Sequence, residues 1–178
     1  IDNQDIEAIK TVYNGVLRDS ANQFYDSKFD IAKLSNIKND AIKSILSAKL
    51  LEAQNRGISI SVEIEEPVSN FRIELLDFIT VLSVLCDNAI EATIKATSPR
   101  MTVAFMNNDD SLVLIVENSI KSEKVDVSHI FARGYSSKGE GRGLGLHNVN
   151  SILEKYPKST ITTRSANHLF SQTIRFCK

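Results

Sequence analysis

Cysteine is scarce in this chain: Cys86 and Cys177 lie far apart, and neither has a second Cys or a His at metal-ligand spacing. A reducing compartment fits that usage, and Cys86, set in an apolar run, reads as a small core residue. Charge of one sign is also lacking, since 21 basic and 22 acidic side chains leave a net charge of -1. That gives no electrostatic footprint for sequence-independent nucleic-acid binding or for an anionic membrane surface, so a bound polyanion has to be held locally. No apolar run reaches the roughly 18 residues needed to cross a bilayer, and no charged-then-apolar leader opens the chain. The chain as given therefore reads as soluble. It opens on Ile1, so it reads as a piece of a longer protein, and the missing span says little about the parent. Internal repeats and low-complexity tracts are absent too.

What remains is 178 residues, 42% hydrophobic, enough for one substantial core and a short appended element. Over 2–29, Ile6, Ile9, Tyr13, Val16, Leu17 and Phe24 recur at three- and four-residue steps, predicting an amphipathic helix. A second helix is expected over 40–55, with Ile42, Ile45, Leu46, Lys49 and Ala53 on one face and Gly57 ending it. Residues 58–64 alternate apolar and polar, as a half-buried strand does. The stretch 74–95 is too long and too apolar for a strand and reads as a buried helix. Strands over 100–106 and 111–117 are joined by a turn at 107–110, and 118–143 loses periodicity and reads as a long loop. A helix over 144–156, stopped by Pro157, and strands over 159–164 and 169–176 complete the set. The pattern implies an α+β fold, a mostly antiparallel sheet covered by helices on one face.

Two constellations carry chemistry. Lys138-Gly139-Glu140-Gly141-Arg142-Gly143-Leu144-Gly145-Leu146 places glycine at every second position and runs into a helix. Such a backbone can approach an anion closely, and the helix's first free amides point at it, so phosphate is the natural guest. The spacing fits neither the dinucleotide fingerprint nor the Walker pattern, and a flexible glycine hinge is the bland alternative. The second is Asp87-Asn88-Ala89-Ile90-Glu91-Ala92, polar residues inside the apolar helix. A carboxamide oxygen there can ligate Mg²⁺ without adding charge beside a triphosphate, whereas taken alone the group also reads as a satisfied polar patch.

Taken together, an Asn-Ala helix followed far downstream by Gly-x-Gly-Leu-Gly-Leu resembles the GHKL ATP-binding superfamily, the Bergerat fold of gyrase, heat-shock chaperone, histidine kinase and mismatch-repair ATPase. More narrowly, residues 37–178 resemble the peptide-pheromone receptor histidine kinases of Gram-positive bacteria, the AgrC and ComD type. The resemblance implies a two-layer α/β sandwich with a mixed sheet and three helices, and ATP and Mg²⁺ as cofactors. It makes Asn88 the magnesium ligand and catalytic residue, flanked by Asp87 and Glu91. Gly139, Gly141, Gly143, Leu144 and Gly145 form the phosphate-binding box, Phe131 and 134–138 with Ser137 form the lid, and Lys138 and Arg142 are phosphate contacts.

Departures refine the resemblance. Where most of the superfamily has Asp-x-Gly-x-Gly for the adenine amino group, this chain has Asn118-Ser119-Ile120-Lys121-Ser122. Asn118 keeps an acceptor oxygen, and the pheromone-receptor branch has this form. Hydrolysing members carry a glutamate four residues before the N-box asparagine; here Val84 stands there and cannot act as a base. The three histidines, His129, His147 and His168, all follow the N box and read as incidental. The resemblance thus implies an acceptor histidine upstream of Ile1, with 1–36 as the tail of the dimerisation and phosphotransfer region and 37–178 as the catalytic domain. It also implies a response regulator and the chain's own phosphoacceptor domain as partners, a homodimeric full-length protein, and a cytoplasmic location with membrane attachment only through an N-terminal sensor. Rival readings are a serine kinase of the anti-sigma type, a hydrolysing ATPase, and a nucleotide-binding or docking module without catalysis.

Overall fold

The computed structural model describes residues 32–131 and 144–178. The helix expected over 2–29, and Ser137, Lys138, Gly139, Gly141, Arg142 and Gly143 of the glycine-rich run, lie outside the described residues.

Helix α1 spans Asp40–Asn55. Asn39 caps it by accepting from the Ile42 amide at 3.1 Å. It ends at Gly57, whose φ of 77° is one that glycine adopts without strain. There the Gly57 amide donates to the Gln54 carbonyl and the Ile58 amide to that of Ala53, the paired bonds of a Schellman end. The buried stripe is Ile42, Leu46, Leu50 and Ala53. Leu50 takes the core position expected of Lys49, which turns to the stripe's edge.

Strand β1 (Ser59–Ile64) follows and buries Ile60, Val62 and Ile64. Helix α2 (Leu75–Thr93) then crosses over to β2 (Arg100–Asn107), so β1 and β2 pair in parallel. The remaining pairings, of β2 with β3 (Ser111–Ser119), of β3 with β5 (Leu169–Cys177) and of β5 with β4 (Ser159–Ala166), are antiparallel, giving the order β1-β2-β3-β5-β4. The sheet is thus mixed, as the resemblance implies, and mostly antiparallel, as periodicity alone pointed to. One face carries Val103, Phe105, Leu112, Leu114, Ile174 and Phe176 into a core shared with α1, α2 and helix α3 (Leu144–Leu153). Phe78 of α2 anchors that core at one end, its ring 4.7 Å from Phe71 and 5.5 Å from Phe176.

β3 runs two residues beyond the expected 117, so Asn118 lies within the strand, paired with Met101 and Phe170, and not at the start of a loop. Asn and Ser are weak strand formers by themselves, but here both neighbouring strands continue the ladder. Among the described residues no helix is long and apolar enough to cross a membrane.

Candidate nucleotide-binding site

α2 is broad on its buried side: Phe78, Leu82, Leu85, Ala89 and Thr93 are buried among the core residues. Its polar interruption splits in two directions. Asp87 accepts a 2.5 Å bond from Lys49 Nζ of α1. Asn88 lies on the side of α3, where its Nδ2 is buried without a hydrogen-bond partner among the described residues. Glu91 is exposed one turn further on.

What faces Asn88 is the first turn of α3. A Cβ placed on Gly145 would stand 3.9 Å from Asn88 Nδ2 and 3.1 Å from Val84 Cγ1, so only a bare backbone fits there without displacement. In the described residues α3 spans Leu144–Leu153, with Gly145 at its near end. A carboxamide whose Nδ2 has no hydrogen-bond partner among the described residues and a close glycine backbone therefore meet at one place, which fits phosphates with an accompanying cation. Among the described residues no group of three or more His, Cys, Asp or Glu gathers as a metal cage.

Asn118 lies near the end of β3, next to Ser119, which meets the end of α2. It is 2% exposed, and its Nδ2 donates to the Ser119 carbonyl at 2.9 Å, leaving Oδ1 as the free acceptor. Thr93 Oγ1, at the end of α2, donates to the same carbonyl at 3.1 Å and ties the strand end to the helix that carries Asn88. Beyond it the segment 120–125 is held by the β4–β5 turn, where Asn167 and His168 both have positive φ. The Ile120 amide donates to the His168 carbonyl, the His168 amide to Glu123, and Val125 to Ser165 Oγ. A segment without the family's glycines is thus fixed by a neighbouring hairpin.

Phe131 is half-buried, and its carbonyl lies 3.3 Å from His147 Nδ1 on α3. Far from this site, Tyr156 donates to Asp77 Oδ2 at 2.7 Å and Lys155 reaches Asp77 Oδ1 at 3.3 Å. The Tyr156 hydroxyl, and Lys155 after it, hold the Asp77 carboxyl below its usual range, and Asp77 in turn raises the Tyr156 phenol. Burial pushes the Cys86 thiol up to about 12, which leaves it an inert core residue.

The structure therefore brings Asn88, Gly145 and the start of α3 together and sets Asn118 at the adjoining strand end. Asp87 is engaged with α1. Sequence reading missed Lys49 as the partner of Asp87 and His147 as the contact of Phe131. The signal for Lys49 was available, since a charged residue at the margin of an apolar stripe implies an acceptor on the facing helix.

Residues 73–177 match the GHKL domain family. The chain is 29% identical over 125 residues to the sensor protein CitS of Bacillus subtilis (strain 168), covering 67% of this chain and 23% of CitS. It is 30% identical over 144 residues to the sensor histidine kinase DcuS of Escherichia coli (strain K12), covering 78% of this chain and 26% of DcuS. It thus spans about a quarter of the length of these curated relatives. The catalytic domain of histidine kinase ThkA, in a nucleotide-free form, superposes with a TM-score of 0.63 at 21% identity over 79% of this chain and 92% of that one. Full-length ShkA, solved with AMPPNP, gives 0.63 at 15% identity over 93% of this chain and 38% of its own; at such identities the likeness establishes the fold. By its sequence match, on a fold held in common with histidine kinase catalytic domains, this chain belongs to the GHKL domain family.

Proposed function

We propose that this chain is the ATP-binding catalytic region of a sensor histidine kinase. The observation that carries the reading is the partnerless carboxamide of Asn88 facing Gly145 at the start of α3. The triphosphate lies against the amides of that first turn, bordered by Gly139, Gly141, Gly143, Lys138 and Arg142, and Asn118 Oδ1 accepts from the adenine amino group. Asn88 is the protein ligand of Mg²⁺, which supplies charge neutralisation at the phosphate oxygens when bound.

An imidazole nitrogen outside this chain attacks the γ-phosphorus, the bond to the bridging oxygen breaks, and ADP leaves; the phosphoryl then passes to an aspartate carboxylate of a response regulator. One observation favours transfer over hydrolysis: Val84 stands four residues before Asn88, where the hydrolysing members of the superfamily carry their glutamate base. His147 and His168 each place Nδ1 at a backbone carbonyl, of Phe131 and of Lys121, which supports an acceptor histidine elsewhere. Residues 1–36 belong in this reading to the dimerisation and phosphotransfer region of a homodimeric receptor, anchored in the membrane by its own sensor, with the catalytic region in the cytoplasm. The glycine-free stretch from Asn118 to Ser122 supports the peptide-pheromone branch, and with it a Gram-positive source and a peptide signal.

Calorimetric titration with ATP, with and without Mg²⁺, tests the assignment. Asn88→Ala is expected to lose the magnesium-dependent part of the affinity; equal magnesium dependence in both proteins removes Asn88 from the site.

A further inference from the structure

The helix-facing side of the sheet carries a polar pair that the fold does not use. β5 places Gln172 beside Val116 of β3, and Thr163 of β4 is its cross-strand partner. Gln172 is 2% exposed, its Nε2 is buried with no hydrogen-bond partner, and the buried Thr163 hydroxyl is equally without one. An aliphatic side chain at Gln172 would avoid that standing cost, so the orphaned donor calls for a partner that the described residues do not supply.

Its position indicates what that partner is. Asn118 pairs with Phe170 and Val116 with Gln172, so Asn118 and Gln172 are diagonal neighbours on the same face of adjacent strands, about 7 Å apart and within reach of long side chains. Asn118 has already given its Nδ2 to the Ser119 carbonyl and offers an acceptor. Gln172 offers a donor. An acceptor beside a donor complements the outer edge of adenine, which presents an amino N–H at position 6 and a bare nitrogen at position 1. The same edge of hypoxanthine or guanine presents an oxygen and an N–H in the opposite order, setting acceptor against acceptor and donor against donor.

We infer that Gln172 is a specificity-determining residue of the base pocket, donating from Nε2 to adenine N1 while Asn118 Oδ1 accepts from the amino group. The inference rests on the nucleotide reading above and deepens it, because two neutral amides then select the base where the wider family relies on a carboxylate.

Titrating the 178-residue chain with the magnesium complexes of ATP, 1-deaza-ATP and inosine triphosphate tests this. The wild type is expected to bind ATP about tenfold more tightly than 1-deaza-ATP, which lacks only the N1 acceptor. Gln172→Leu is expected to bind the two alike. Gln172→Glu, now an acceptor, is expected to bind inosine triphosphate more tightly than the wild type does, a gain that misfolding cannot imitate. Equal wild-type affinity for ATP and 1-deaza-ATP overturns the inference without help from any variant, and marks Gln172 and Thr163 as a buried water site. A wild type that binds no ATP overturns the nucleotide reading and this inference with it; ATP binding indifferent to N1 overturns this inference alone.

Discussion

At the residue scale, the contact between Gly145 and α2 sets how closely the start of α3 approaches Asn88. Alanine is the better helix former by about 1 kcal/mol, yet its methyl group at Gly145 would stand 3.1 Å from Val84 Cγ1. Gly145→Ala is therefore expected to push the first turn of α3 outward and weaken ATP binding about tenfold, while thermal stability changes little. Adding Val84→Ala opens the space and restores most of the affinity. Comparing dissociation constants of the single and double variants checks this, since an affinity loss that Val84→Ala leaves untouched would put its origin elsewhere. The carboxamide of Asn88 was legible in the sequence as a polar intrusion in an apolar helix. That Asp87 next to it would serve α1 was not, because residues one apart on a helix point about 100° from each other, and only packing assigns each direction a neighbour.

At the element scale, α3 is fastened at both ends. Its first turn meets α2 at Val84 and Asn88, and the turn after its last residue meets α2 again through Tyr156 and Asp77. The Asp77 carboxylate also sits in the first turn of α2, where the helix dipole favours it. Tyr156→Phe removes the 2.7 Å bond and is expected to cost about 1 kcal/mol at neutral pH. Because Asp77 is more acidic folded than unfolded, this stabilisation is present above the ordinary carboxylate pKa of about 4 and is lost as pH falls below it. Urea unfolding of wild type and Tyr156→Phe should therefore differ at pH 7 and converge near the acid end. A constant gap across pH would show that the hydroxyl acts by accepting from the Glu74 amide at 3.2 Å, and not through the Asp77 carboxylate. The element boundaries themselves were largely legible: 40–55 matched a helix to the residue, since Asn39 and Gly57 carry cap chemistry in their own side chains and backbone. β3 and β4 ran past their expected ends, because a strand persists wherever its neighbours go on pairing with it.

At the scale of the whole molecule, the core reaches back before α1. Leu34 is 3% exposed and Ile37 fully buried, and Ile37 bridges to Val68 beside β1. Asn36 also donates to the Ile64 carbonyl at 2.7 Å. A chain beginning at residue 38 is therefore expected to be less stable than one beginning at residue 32 by about 3 kcal/mol, the worth of two buried aliphatic side chains. Denaturant midpoints of the two truncations measure the difference, and identical midpoints would show that residues 32–37 contribute nothing to the stability of the GHKL domain. The short segment was hard to read in advance, since a single 3₁₀ turn, Lys33–Asn36, leaves no periodicity to detect.

The sequence by itself determined which segments are helices and which are strands and which faces are apolar, and it is what suggests reading an asparagine and a run of glycines as one phosphate-binding pattern. These are properties of segments, written in spacing and in the chemistry of single residues. Only the tertiary structure decided that Asn88 meets Gly145 while Asp87 meets Lys49, that β1 joins the sheet in parallel, and that Gln172 lies beside Asn118 with its donor unused. Those are relations between faces, fixed when the helices settle on the sheet and each buried polar group is left with or without a partner.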